Sequence, residues 1–210
     1  MKNKYYQILE KILKKGKVHK KGIIKYLLDE QLKLYPSDLL EIFEAHQIAR
    51  NKLKTELQLF QSGERLTEKY REAGISWWDY CGPMLVNSYP TYFEQLPPLI
   101  AKINKEKRNS KNYVLFLGRN DTETNQQPCL SLIQFQIDNG KLVISAYQRS
   151  SDASLGLPAD LYHLYLISRQ IDLPLKSITL TLGNVHIYEN NIDNTKRLLK
   201  GEKVSFELNV

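Results

Sequence analysis

Thiols are scarce in this 210-residue chain, which has two cysteines, Cys81 and Cys129. Two cysteines make no disulfide framework, so a reducing, cytoplasmic setting is expected. Long apolar runs are missing as well. No stretch approaches the roughly 20 apolar residues of a membrane span. The opening MKNKYYQILEKILKKGKVHKK has neither the apolar centre nor the cleavage site of a signal peptide. Ten glycines are far too few for collagen, and no sustained heptad pattern marks a coiled coil.

What is present suits a folded protein. Apolar residues make up 42% and charged residues 25%, an ordinary balance for a chain that builds a core. The length points to a single domain over 1–210. Lys and Arg number 30 against 23 Asp and Glu, a net charge of +7. Much of the excess sits early, at Lys2, Lys4, Lys11, Lys14, Lys15, Lys17, Lys20 and Lys21. Such a face suits nucleic acid, a membrane or a phosphorylated small molecule, or is the solvated side of an amphipathic helix. No aromatic–basic interleaving accompanies it, so the solvated face is the expectation, with no nucleic-acid or membrane partner.

Apolar residues at Tyr5, Ile8, Leu9, Ile12 and Leu13 form a helical stripe ending near Gly16. The run IIKYLL after Gly22 reads equally as a strand or a buried helical turn. A long helical pattern follows Ser37-Asp38, with a break expected near His46, and Leu66 to Ala73 reads as a short helix closed by Gly74. A helix is expected from Thr91 to Glu106, with Pro97-Pro98 near its start or kinking it. Strand character then dominates in YVLFLG (113–118), CLSLIQFQI (129–137) and KLVISAYQ (141–148). Asn139-Gly140 between the last two predicts a hairpin. Leu161 to Ile171 reads as helix, SITLTLGNVHIY (177–188) as one long strand, and VSFELNV as a last strand. Helices first, then a hairpin-rich half, make an α+β arrangement.

Taken singly, the chemically capable residues have ordinary explanations. Cys129 follows a proline and opens a strand, where a thiol can be a nucleophile or simply a buried side chain. His186 and Tyr188 share one strand face and either line a pocket or satisfy each other locally. Asp152 and Asp160 bracket a turn ahead of a helix, where an acid can serve plain capping.

In order, however, these residues resemble the thymidylate synthase and deoxycytidylate hydroxymethylase superfamily. The run QRSSDASLGLP (148–158) is similar to the family signature. Upstream, Pro128, Cys129, Gln134 and Phe135 match its nucleophile segment, and downstream His186-Ile187-Tyr188 matches its His-x-Tyr pair. The segment ELQLF (56–60) falls where the family has a catalytic glutamate, and Trp77, Trp78, Asp79, Gly82 and Pro83 also fall in register. The likeness is strong over 75–193, weaker over the mainly helical 1–74, and leaves 194–210 as a shortened C-terminus.

The resemblance implies a mixed β-sheet with packed helices and a two-fold homodimer through sheet faces. It implies a transferase acting at carbon 5 of a pyrimidine nucleotide, with 5,10-methylenetetrahydrofolate as one-carbon donor and no metal. Cys129 would add to carbon 6, and Glu56 would move protons and organise water. Arg149 and Ser150 would hold the phosphate, Arg149 also lowering the pKa of the thiol. His186 and Tyr188 would bind the sugar, while Asp152 and Trp78 would meet the folate. Where thymidylate synthases carry the asparagine that reads uracil, this chain has Asp160. A carboxyl accepts from the 4-amino group of cytosine and, when it shares a proton, donates to N3. The same Asp marks the hydroxymethylase branch, so a cytidine monophosphate (dCMP or CMP) is the expected substrate. Methylation of a uridine nucleotide and a catalytically degenerate nucleotide-binding homologue are the alternatives.

Other positions depart from the family. Only Lys20, Lys21 and Gly22 lie near its phosphate-binding loop. Lys111 and Asn112 stand where a partner subunit donates paired arginines, Leu130 replaces a histidine and Leu85 a tyrosine. Lys cannot form the bidentate arginine fork, so a looser phosphate grip is expected from Lys111. The family's C-terminal lid over folate is not recognised in the sequence. Its loss would hinder hydride transfer more than a reaction ending in water attack.

Overall fold

The computed structural model describes residues 3–19, 24–119 and 126–206. Lys20, Lys21 and Gly22 lie outside them. The helices are α1 (Lys4–Lys15), α2 (Pro36–Ala45), α3 (Arg50–Gln61), α4 (Thr67–Glu72), α5 (Pro90–Phe93), α6 (Leu96–Glu106), α7 (Gly156–Ser168) and α8 (Ile192–Leu199). The strands are β1 (Lys17–Val18), β2 (Ile24–Leu34), β3 (Val114–Phe116), β4 (Leu130–Asp138), β5 (Lys141–Gln148), β6 (Ser151–Asp152) and β7 (Leu175–Tyr188). They form one mixed sheet in the order β1-β2-β7-β5-β4-β3, with β6 added beside β7. β5 and β7 run parallel, which requires a crossover, and that crossover carries β6 and α7.

Side chains alternate along the central strands. Ile133, Phe135 and Ile137 of β4, Leu142, Ile144 and Ala146 of β5, and Ile178, Leu180 and Leu182 of β7 are buried. Tyr5, Ile8, Leu9 and Ile12 of α1 and Leu161, Leu164 and Ile167 of α7 belong to the same core. The expected β4–β5 hairpin forms. Asn139 (φ 51°) and Gly140 (φ 71°) both take the left-handed conformation that a two-residue turn of this kind needs. The helix break falls at His46, and the proline pair opens α6 after the separate turn of α5.

Two expectations are corrected and one open reading is decided. Of the strand and helical-turn readings of the run after Gly22, the described residues from Ile24 take the strand: β2 pairs antiparallel with β7 over nearly its whole length, so the mainly helical first 74 residues contribute to the sheet as well. The helix expected from Leu161 begins earlier, at Gly156, because Pro158 sits in its first turn, where a missing N–H costs nothing. The terminal segment forms no strand over its described residues; instead the Val204 N–H donates to Ala45 O at 2.9 Å. Among the described residues no helix is long and apolar enough to cross a membrane.

The N-terminal helix is tied directly to the crossover. The buried Tyr5 hydroxyl donates to Ala153 O at 2.8 Å and lies 2.6 Å from His46 Nε2. The His46 ring stacks on Phe206, and burial pushes its pKa down to about 3. The unfolded chain therefore takes up a proton near pH 6.5 that the folded chain refuses until about pH 3. Stability from this site is full above about pH 6.5 and falls as the pH drops, by up to about 3 kcal/mol at pH 4. His46→Gln keeps hydrogen-bonding capacity without titrating in this range. Thermal melts at pH 7 and pH 4 should show a smaller drop in Tm for this variant than for the wild-type chain.

Candidate active site

The strand end that carries Cys129 is irregular, and the irregularity aims it. Pairing of β4 with β5 shifts register between Leu130 and Leu132, a bulge that turns Leu130 into the core and leaves the half-buried Cys129 at the sheet margin. Arg149 straps this margin. Its backbone N–H donates to Cys129 O (2.8 Å), its Nε to Pro128 O (3.0 Å) and its Nη2 to Gln127 O (2.5 Å). Gly183 of β7 permits the close approach, since a Cβ there would lie 2.6 Å from the Tyr147 hydroxyl and 3.1 Å from Arg149 O. The Cys129 thiol is pushed up by burial and by the Asp160 carboxyl, while Arg149 pulls it down. The expected lowering by Arg149 is therefore present but outweighed, because burial disfavours the thiolate.

Asp160, on α7, is near enough to this thiol to influence it. Because that helix starts at Gly156, Asp160 lies a full turn inside it, and plain capping of a helix over 161–171 is ruled out. Its Oδ2 accepts from Gln148 Nε2, and Gln148 itself is fully buried with its Oε1 unpartnered among the described residues. Burial first, and then Glu56, push the Asp160 pKa up to about 6, against the pull of His163 and the Gln148 bond.

The opposite wall is organised by Glu56 on α3, which is buried. Its Oε1 accepts the indole N–H groups of both Trp77 and Trp78, each at 2.5 Å. Its Oε2 lies 3.2 Å from His163 Nε2. Trp78 is half-buried, edge-on to Phe60 and Tyr89 and stacked on the exposed Tyr80 ring.

On the β6–β7 side, Asp152 pairs in register with His186. Burial raises the Asp152 carboxyl to about 6, although the Ser154 N–H donates to it at 2.9 Å. His186 meets Tyr188 edge-on with ring centroids 5.1 Å apart, so the shared strand face is real. Burial lowers its pKa to about 4, and its Nδ1 lies 3.1 Å from Asn184 Oδ1. Tyr188 is influenced by both Asp152 and Cys129, which brings this pair into the same cluster. Ser150 is half-buried beside the exposed Arg149. Lys111 stands apart, in the turn before β3, where its carbonyl accepts from Gln134 Nε2 at 3.4 Å.

A thiol at a strand end, two carboxyls of different environment, a neutral histidine and a cation on the rim make a set capable of covalent addition and proton transfer. The model of the family described as thymidylate synthase matches residues 3–209. The chain belongs to the thymidylate synthase family. It is 32% identical over 162 residues to the thymidylate synthase of Listeria monocytogenes serotype 4a, covering 74% of this chain and 50% of that protein. To the thymidylate synthase of Mycoplasma pneumoniae it is 28% identical over 188 residues, covering 82% and 60%. To that of Mycoplasma genitalium it is 30% identical over 188 residues, with the same coverage. The chain thus spans about half to three-fifths of the length of these curated relatives.

Within this family setting, four contributors escape sequence reasoning. Leu85 and Leu130 are both core residues. Tyr89 instead brings a hydroxyl to the strand end, accepting from the Leu130 N–H at 3.1 Å and influenced by both Cys129 and Asp160. Gln148 is visible as the first residue of the signature, and Trp77 as the neighbour of Trp78. His163 is readable only through its three-residue spacing from Asp160. Among the described residues, no group of three or more His, Cys, Asp or Glu is arranged to hold a metal ion. A cleft of about 370 Å3 between α2 and α8, lined by Glu41, Glu44 and Lys203 among others, shares none of these residues.

Removing Glu56 should be felt by both tryptophans, the only two in the chain. Glu56→Ala is expected to destabilise the fold by about 3 kcal/mol, since it strips the buried His163 of its partner. It should also shift the intrinsic tryptophan emission of the folded protein. Denaturant titration and an emission spectrum check the two effects, and an unchanged spectrum would contradict the shared acceptor.

Proposed function

We propose that this protein is a pyrimidine nucleotide carbon-5 one-carbon transferase, and that it hydroxymethylates a cytidine monophosphate. The observation that carries the cytosine reading is Asp160: a half-buried carboxyl inside α7, near enough to the Cys129 thiol to influence it, with no capping duty. A carboxyl raised to about 6 readily holds a proton for N3 while accepting from the 4-amino group. Gln148 fixes its orientation through Oδ2.

In this reading Cys129 adds to carbon 6 of the pyrimidine, and carbon 5 becomes the nucleophile. The thiol is raised in the ligand-free chain, so it gives up its proton as substrate binds, with Arg149 favouring the thiolate. Arg149 and Ser150, on the rim, hold the phosphate, joined by Lys111 of a second copy. His186 stays neutral and, with Tyr188, meets the sugar hydroxyl. Glu56 orders water and relays the proton that leaves carbon 5.

The residues present fit a folate. The half-buried Trp78 and exposed Tyr80 form an aromatic stack, and Asp152 offers a carboxyl able to accept from a pterin N–H. When bound, methylenetetrahydrofolate supplies a one-carbon unit at the oxidation level of formaldehyde. Trp78 and Asp152 orient it and exclude bulk water from the Cys129 side. Water then completes the product, so the sum is nucleotide, methylenetetrahydrofolate and water giving the 5-hydroxymethyl nucleotide and tetrahydrofolate. The chain works as one domain and pairs as a homodimer. The outer sheet face, where Gln134, Ser145 and Thr181 are half-exposed, is the surface for that pairing.

Incubation with dCMP or CMP and methylenetetrahydrofolate should yield a product heavier by one CH2O, with release of tritium from carbon 5. Cys129→Ala should abolish both. A product heavier by one CH2 from a uridine nucleotide, coupled to dihydrofolate, would favour methylation, the activity for which the relatives are named. Nucleotide binding unchanged in Cys129→Ala with no chemistry in the wild type would make the chain a degenerate homologue.

A further inference from the structure

His163 is a buried ionisable group in the heart of this site to which the reading above gives no task. It lies on α7 three residues beyond Asp160, so both side chains leave the helix on neighbouring faces one turn apart. Its Nε2 is 3.0 Å from Leu53 O and 3.2 Å from Glu56 Oε2, a single N–H shared by a carbonyl and a carboxylate of α3. Its ring is edge-on to Phe60, 5.8 Å between centroids. The other oxygen of Glu56 is already committed to two indoles.

The charges around this point can be counted. From α3 comes Glu56, and from α7 comes Asp160. From β5 comes the uncharged Gln148 amide, from the margin of β4 the Cys129 thiol, and from the turn before α5 the Tyr89 phenol. The buried Tyr70 of α4, whose hydroxyl donates to Glu64 O at 2.8 Å, is influenced by Glu56. Burial opposes a charged imidazole, but Glu56 and Asp160 together outweigh it and raise its pKa. In turn the imidazolium holds the Asp160 carboxyl lower than burial alone would.

We propose that His163 is a positioning residue for base recognition: its cation holds Glu56 in place through Nε2 and, one helical turn from Asp160, sets the pH range over which that carboxyl keeps the proton it shares with the base. The assignment rests on Asp160 as the base-reading group, and on no contact between His163 and the nucleotide. It makes the affinity for the nucleotide depend on pH through a residue behind the contact surface. Binding takes up or retains one proton on the Asp160–base pair, so affinity falls as the pH rises past the point at which Asp160 ionises.

The test has a ligand-free arm and a ligand arm, both on the full chain. With carboxyl-labelled aspartate, the Asp160 resonance is followed against pH by NMR in the wild type and in His163→Gln. The midpoint should move up by about half a pH unit or more in the variant, and an unmoved midpoint overturns the proposal. Should the variant not fold, the labelled imidazole of the wild type decides alone. It should remain an imidazolium at pH 7, and a neutral ring there overturns the proposal. In the second arm, dCMP affinity is measured against pH. The alkaline limb for His163→Gln should shift up by the same amount as Asp160, about threefold tighter binding at a fixed pH above the midpoint. A shift of the carboxyl with superimposable binding profiles overturns the link to recognition. A wild type that binds no dCMP at any pH fails the cytosine reading, while the ligand-free titrations still judge the His163–Asp160 coupling.

Discussion

Glu56 is a buried carboxylate that draws three separate parts of the chain onto one point. A charge in the interior costs several kcal/mol unless it is paired and hydrogen-bonded. Here the pairing comes from two consecutive indoles in the segment after α4 and from an imidazole on α7, while the carboxylate itself rides on α3. None of these segments forms a regular ladder with the others, so their mutual placement depends on this convergence and on the packing of Phe60, Tyr89 and Trp78 around it. The orientation of Trp78 follows directly from it.

The other half of the site is held by the sheet. A bulge at the start of β4 and a close backbone approach at Gly183 set the strand ends so that Cys129, Arg149, His186 and Tyr188 emerge together. The Arg149 side chain is occupied by the two carbonyls that precede Cys129, which ties down the strand end and leaves the guanidinium on the rim. The thiol, Asp152 and Asp160 are all biased toward their protonated forms, and His186 toward neutrality. A site with so few fixed charges suits a reaction in which protons must move between groups.

Much of this was legible in the residues because the deciding interactions are local. Asn139-Gly140 specifies its hairpin through the left-handed turn, and the break at His46 falls where the helical pattern lapses. The motifs QRSSDASLGLP and His-x-Tyr are readable in chain order, and the structure pairs Ser151 and Asp152 of the first with Val185 and His186 beside the second. What escaped is non-local. β2 is a strand because β7, some 150 residues later, supplies its partner, and its own apolar spacing is too irregular to say so. α7 begins at Gly156 and not at Leu161: the stretch LGLP reads as a turn ahead of the helix, although Pro158 is harmless in a first turn. The later start is what leaves capping open as an alternative for Asp160. His163 and Tyr89 gain their meaning only from Glu56 and Leu130, far away along the chain.

In the proposed reaction Asp160, set inside α7 and held by Gln148, meets the base edge of a cytidine nucleotide while Cys129 faces carbon 6. A crystal structure of the chain with dCMP bound is the decisive measurement. The Asp160 carboxyl should lie within hydrogen-bonding distance of both the 4-amino group and N3, with the Cys129 Sγ next to carbon 6. A base edge turned away from Asp160, with that carboxyl still bonded to Gln148 alone, would contradict it.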